Sequence, residues 1–131
     1  MTKKFYLASS FKNSPLVNLI ATRLRENGWQ QTYDWTKNQR AASFADLNKI
    51  GQEEYQGVVE SDFFVFLFPA GKGANIEFGI ATALKKPIYI FDCTNEIEDF
   101  AETSTFYFLD NVLRFSGDVQ EFFELILENE G

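Results

Sequence analysis

Six consecutive apolar residues, Phe63-Phe64-Val65-Phe66-Leu67-Phe68, run without alternation into Pro69-Ala70-Gly71-Lys72-Gly73, and a helical stretch follows from Ala74 to Leu84. An unbroken apolar strand of this length belongs inside a parallel sheet covered on both faces, and a strand from Asp62 to Phe68 is the strongest the chain offers. The turn matters as much as the strand. Two glycines between a strand and a helix let backbone N–H groups face a ligand's oxygens. Glu77 falls just inside the helix, where the macrodipole favours an ionised carboxylate, and that placement suits a nucleophile.

The rest of the chain repeats the strand–helix alternation. Phe5 to Ala8 is a short apolar run that reads as a buried parallel strand. Ser14-Pro15 then opens a helix with Leu16, Leu19, Ile20 and Leu24 at helical spacing, closed by Asn27-Gly28. Gln31 to Trp35 is a second, weakly patterned strand. Ser43 caps a helix whose inward face runs through Phe44, Leu47, Ile50, Tyr55, Val58 and Val59, with Gly51 and Gly57 weakening it. Lys86-Pro87 ends the third helix, and Pro87 to Phe91 forms a fourth strand. One of two short runs, Phe106–Leu109 or Val112–Phe115, supplies a fifth. Ser116 caps a last helix from Asp118 to about Glu128, with Val119, Phe122, Phe123, Ile126 and Leu127 inward. The expected architecture is a single domain over 1–131 with a three-layer α/β, flavodoxin- or Rossmann-like fold. Its five-stranded, mostly parallel sheet has the order 2-1-3-4-5 and helices on both faces. In such a sheet ligands bind beyond the carboxyl ends of the strands. Here those ends carry Ala8-Ser9-Ser10, Asp34-Trp35-Thr36, Pro69 to Asn75 and Asp92-Cys93.

Composition removes several kinds of chemistry. The 131 residues contain no His, so Ser-His-Asp and Cys-His systems and His-ligated zinc are excluded. Net charge is −7, which argues against binding nucleic acid through its phosphates. The carboxylates are not grouped like a magnesium cage, so no metal and no cofactor is expected. The lone Cys93 reads as a small apolar filler at a strand end and fits a reducing cytoplasm. No apolar run is long enough to cross a bilayer, and the start of the chain is too brief for a signal-peptide core. The expectation is a cytoplasmic protein without a membrane or nucleic-acid partner. The fifteen Phe read as core. The acidic residues after Gly117 (Asp118, Glu121, Glu124, Glu128, Glu130) read as a solvated helix face.

The glycine turn is neither a Walker loop nor the dinucleotide fingerprint. The first strand is followed by Ser9-Ser10, whose hydroxyls suit a sugar or phosphate or an ordinary serine turn. Glu77 is the candidate nucleophile. Glu54, placed opposite Leu47 and Val58 on the second helix, is a second carboxylate bordering the crevice. Lys72 and Arg40 are candidate phosphate contacts or solvated loop residues.

Three pieces of the chain, in register over about the first ninety residues, resemble the nucleoside 2-deoxyribosyltransferase family. Tyr6-Leu7-Ala8-Ser9-Ser10-Phe11 looks like its first-strand motif. Glu54-x-x-x-Val58-x-x-Ser61-Asp62 resembles its acidic helix leading into the third strand. Gly73-x-x-x-Glu77-x-Gly79-x-Ala81, followed by Lys86-Pro87, is similar to its nucleophile motif. The resemblance implies that Glu77 attacks the anomeric carbon of a nucleoside or nucleotide and forms a covalent glycosyl-enzyme as the base leaves; a second base then takes the sugar in a transferase, or water takes it in a hydrolase. Glu54 stands where the family has its second acid, normally Asp, and Tyr6 where a tyrosine orients the nucleophile. Ser9, Ser10, Asp34, Trp35, Gly71, Lys72, Gly73 and Asn75 are the implied substrate contacts. The resemblance also implies a homodimer or larger homo-oligomer, with Thr103 to Tyr107 as a segment contributed across subunits. Gly71 replaces the family's base-contacting Asp, and the Gly-Pro of the first turn is missing. The pattern looks more like the related nucleoside 5′-monophosphate N-glycosidases, which hydrolyse. A non-catalytic nucleotide sensor on the same crevice, and an interaction domain using the acidic last helix, are the alternatives from other functional classes.

Overall fold

The computed structural model describes residues 2–131. The strands β1 (Lys4–Ala8), β2 (Gln30–Gln31), β3 (Phe63–Phe68), β4 (Ile88–Asp92) and β5 (Val112–Phe115) form one sheet in the order β2-β1-β3-β4-β5, and every pair is parallel. The helices are α1 (Ser14–Glu26), α2 (Phe44–Glu60), α3 (Lys72–Ala83) and α4 (Val119–Glu130). Helices α1 and α4 pack together on one face of the sheet; α2 and α3 pack together on the other. The expected topology therefore holds, with a wholly parallel sheet.

Every residue of β3 is buried, as its unbroken apolar pattern requires. Aromatic rings fill both layers. Tyr6 stacks on Phe64 with ring centroids 5.7 Å apart, and Phe66, Phe68, Phe78 and Tyr107 form a cluster of edge-on and tilted pairs. Such rings bury the largest areas per residue, about 1.5–3 kcal/mol each.

Several local expectations are corrected. The second strand is only Gln30–Gln31; Trp35 instead starts a short 3₁₀ turn, Trp35–Lys37, because its indole is drawn inward to donate to the Leu7 carbonyl at 2.7 Å. Of the two late apolar runs, Val112–Phe115 is β5 and Thr105–Phe108 is 3₁₀. The last helix is capped by Asp118, whose carboxylate accepts from the Glu121 amide, rather than by Ser116. Ser43 does cap α2 through the Asp46 amide. The first half of α2 lies clear of the sheet, however. Phe44 is 91% exposed, Leu47 58% exposed and Tyr55 about half, so the expected buried face narrows to Gly57 and Val58. Cys93 is exposed just beyond β4, with its thiol toward the Phe68 carbonyl at 3.4 Å, so it is not a core filler. Phe11, Phe44, Phe100, Phe106 and Phe108 are exposed, and the Phe content is only partly core. Among the described residues, no helix is long and apolar enough to cross a membrane.

Candidate functional site

Three polar side chains meet on the α2–α3 face of the sheet. Tyr6 comes from the middle of β1, Glu77 from α3 and Glu54 from α2. Helix α3 begins at Lys72, two residues before the stretch expected from the apolar spacing, with Gly71 in the N-cap position. Glu77 therefore lies in the second turn, not the first, and its side chain turns in toward the sheet. It is only 8% exposed. The Tyr6 hydroxyl, fully buried, donates to Glu77 Oε2 at 2.6 Å.

The electrostatics reverse the expectation of a carboxylate kept ionised by the helix dipole. Burial pushes the Glu77 carboxyl up to about 8; the hydrogen bond from Tyr6 pulls it down, and the neighbouring Glu54 carboxyl pushes it up further. Removal from water outweighs a dipole that has faded by the second turn. Glu54 is also raised by burial, and its interaction with Glu77 works the other way. The pair thus holds at least one proton near neutral pH, carried by the more buried member. Tyr6 is pushed well above the ordinary phenol range, first by burial and then by Glu77, and stays a donor.

Glu54 lines a cleft of about 540 Å³ together with Phe11, Trp35, Arg40, Leu47 and Ile50; Glu77 is not among its lining residues and meets it only through Glu54. Glu54 shares this wall with Leu47, so its expected placement on the opposite side of the helix is corrected: both sit on the face that overhangs the sheet's carboxyl edge. The cleft opens into a more polar recess of about 440 Å³, where Tyr33, Lys49 and Glu53 join Arg40. Phe11 meets Trp35 edge-on at 5.1 Å and makes the apolar floor.

Other expected contacts are already engaged within the protein. The Ser9 hydroxyl donates to the Leu67 carbonyl at 2.9 Å and accepts from Asn13, whose amide also reaches the Pro69 carbonyl. That network ties the turn after β1 to the turn after β3. Ser10 takes the N-cap position of a 3₁₀ turn (Phe11–Asn13) without a side-chain cap bond. The Asp34 carboxylate accepts from the amide and hydroxyl of Thr36. Asn75 donates to the Gly71 carbonyl at 3.0 Å and accepts from the Tyr107 hydroxyl. Tyr107 is thereby bound within its own chain. Gly71, Lys72 and Gly73 are exposed at the start of α3, with their amides at the helix's positive end. The Asp92 carboxylate, 5% exposed, accepts from the amides of Thr94, Asn95 and Ile97 and from the Thr94 hydroxyl, so it builds its own loop and does not reach the cleft.

The sequence reading did not single out Phe11, Leu47 and Ile50 as cleft residues, nor Asn13 and Tyr33 as supports. The only signals were Phe11 directly after Ser9-Ser10 and apolar residues on a helix that the core leaves uncovered. Among the described residues no cluster of carboxylates or thiols is arranged to hold a metal ion.

No family model matches the chain, and no curated protein matches it in sequence. Among solved structures the chain is similar to that of Clostridium botulinum CMP N-glycosidase, BcmB. The identity is 18%, the TM-score 0.67, and the match covers 96% of this chain and 99% of that one. At that identity the likeness is one of fold.

Proposed function

We propose that the protein cleaves the N-glycosidic bond of a nucleoside 5′-monophosphate by hydrolysis, with Glu77 as the nucleophile. The observation that carries the reading is a carboxyl pair with one member buried and the other half-buried: a tyrosine hydroxyl holds Glu77 at 2.6 Å, and the second carboxyl, Glu54, lines an apolar cleft. The likeness in fold to a CMP N-glycosidase supports it, as does the motif resemblance.

The cleft walls, Phe11, Trp35 and Ile50, suit the faces of a base, with Arg40 and Gln39 at its edge for hydrogen bonds. The exposed amides of Lys72 and Gly73 suit a phosphate. In the first step the pair's proton passes from Glu77 to Glu54, which leaves Glu77 ionised. Glu77 Oε bonds to the anomeric carbon as the carbon–nitrogen bond breaks, and the departing base takes the proton from Glu54. In the second step Glu54, now a carboxylate, takes a proton from water as its oxygen attacks the same carbon and releases Glu77. The sum is substrate plus water giving free base plus sugar phosphate. Positive charge developing on the sugar favours the ionised form of Glu77 at the moment it is needed, while burial keeps it neutral at rest.

We infer also that two or more copies associate. The neighbouring helices α2 and α3 leave large apolar side chains exposed, Phe44, Leu47 and Tyr55 on the first and Ile76 and Leu84 on the second, and association would cover them.

The test is incubation with nucleosides and with their 5′-monophosphates, followed by chromatography for free base. The expected result is release from a monophosphate, lost by at least about 10³-fold in Glu77→Ala with the circular dichroism unchanged. Release that survives this substitution overturns the assignment. Thermal stabilisation by a monophosphate without any product identifies a binder instead.

A further inference from the structure

Helix α2 contains two glycines, Gly51 and Gly57, and only one has a structural reason. A Cβ built at Gly51 meets nothing within 4 Å. At Gly57, which is buried, a Cβ would lie 3.0 Å from Tyr33 Cβ and 3.1 Å from both Tyr6 Cδ2 and Cε2. Those ring atoms belong to the tyrosine whose hydroxyl holds Glu77.

The ring has little room to retreat. It also stacks on Phe64 with the two ring planes nearly parallel at 7°, and Tyr6 and Phe64 are register partners on adjacent strands. The helix is held as well. The Thr32 hydroxyl donates to the Gly57 carbonyl at 2.8 Å, and Lys86 Nζ donates to the carbonyls of Val59 at 3.0 Å and Ser61 at 2.5 Å. An added methyl therefore moves the tyrosine ring by a few tenths of an ångström, and a 2.6 Å hydrogen bond at the end of that ring is sensitive to such a shift. A glycine in a helix interior weakens the helix, so its presence here needs a compensating role.

We propose that Gly57 is a positioning residue for the nucleophile: its missing side chain sets the plane of Tyr6 and, through the Tyr6 hydroxyl, the place and proton of Glu77. The inference rests on the reading of Glu77 as the nucleophile. It explains why a helix that overhangs the cleft for half its length has a glycine where it turns in against Tyr6 of β1. Glu54 lies three residues earlier on α2, so the same contact sets how near the second carboxyl comes to the first. The titratable groups facing Glu77 are Tyr6 from β1 and Glu54 from α2; Tyr33, with Glu53 beside it, faces Tyr6 from the β2 side.

The experiment compares wild type, Gly57→Ala, Gly51→Ala, Tyr6→Phe and the Tyr6→Phe/Gly57→Ala double variant. Two quantities are read: the carboxyl carbon titration of Glu77 by NMR without substrate, and the pH profile of kcat/KM for base release. Gly57→Ala moves the Glu77 midpoint upward by up to about one pH unit, because loss of a hydrogen bond to the charged form disfavours that form. Its acidic limb moves with it, and kcat/KM at pH 7 falls about tenfold or more. The double variant is no worse than Tyr6→Phe alone, since both act through one hydroxyl. Gly51→Ala leaves both readouts at wild-type values. A folded Gly57→Ala with a wild-type midpoint and a wild-type limb overturns the proposal, as does full additivity with Tyr6→Phe. If Gly57→Ala does not fold, Gly57→Ala/Phe64→Leu removes the ring that Tyr6 stacks on and gives it space to move, and a wild-type midpoint in that variant overturns it equally. Absence of base release in the wild type defeats the proposed reaction and leaves the titration to decide on Gly57 by itself.

Discussion

Replacing Glu77 by Gln stabilises the protein, and does so only where the wild-type carboxyl is forced to choose between charge and burial. In the folded state the carboxyl is raised from its ordinary 4.5 to about 8, mainly by burial. Below pH 4.5 it is protonated in folded and unfolded chains alike and contributes nothing to the pH dependence. Between 4.5 and 8 the unfolded chain releases the proton while the folded one keeps it, so stability falls as pH rises. Above 8 the full penalty is present. At about 1.4 kcal/mol per pH unit the ceiling is about 5 kcal/mol. Part of the displacement belongs to Glu54, so about 2–4 kcal/mol is the working figure. Gln is nearly isosteric, carries no charge and still accepts from the Tyr6 hydroxyl. For a domain of this size 1 kcal/mol is worth roughly 3–4 °C, so Glu77→Gln melts about 6–15 °C above wild type at pH 8.5 and within about 2 °C of it at pH 4.5. Thermal unfolding followed by circular dichroism across that range measures both. An equal difference at the two ends, or a less stable variant at pH 8.5, refutes the claim that this carboxyl is held against its preference.

Tyr6→Phe removes one donor and little volume; kcat/KM at pH 7 is expected to drop about 10–100-fold, with the acidic limb displaced upward, and an unmoved limb contradicts the role given to the hydroxyl. Lys86→Met takes an ammonium from the carboxyl end of α2 and costs about 1–2 kcal/mol in urea unfolding, without changing the Glu77 midpoint; no loss of stability contradicts the capping reading. Leu47→Glu on the exposed face of α2 converts the associated species to monomer in sedimentation velocity, and a wild type that already sediments as a monomer contradicts association through that face.

The sheet was legible because it depends on the least ambiguous signals a chain can carry. Phe63–Phe68 is apolar at every position, and strands buried on both sides need no other instruction. The glycine turn and the helix after it were legible for the same reason; Glu77 was a candidate from its place after that turn and Tyr6 from the family resemblance alone, and the structure brings the two side chains together. Half of α2 was misread because apolar periodicity reports a face that avoids water, not what covers it. Phe44, Leu47 and Tyr55 keep helical spacing yet have no core behind them. Trp35 was misplaced because a two-residue strand has almost no pattern, and one indole-to-carbonyl bond decided its conformation. The protonation of Glu77 was misjudged because a dipole can be counted along the sequence, whereas burial is a property of the packed layers. Gly57 was visible as an anomaly, a glycine inside a helix, but the contact a side chain there would make is with a ring on β1, 51 positions away in the sequence.

The central claim is that an oxygen of Glu77 bonds covalently to the anomeric carbon. A 5′-monophosphate with fluorine at the sugar 2′ position slows both steps by opposing positive charge on the ring. A good leaving base restores the first step. Acid-quenched protein is then weighed intact and mapped by peptide. The account predicts one added fluorosugar phosphate on the peptide containing Glu77, absent in Glu77→Gln and lost with time as water completes the cycle. Turnover of the natural substrate with no adduct at any time, or an adduct on another side chain, contradicts it.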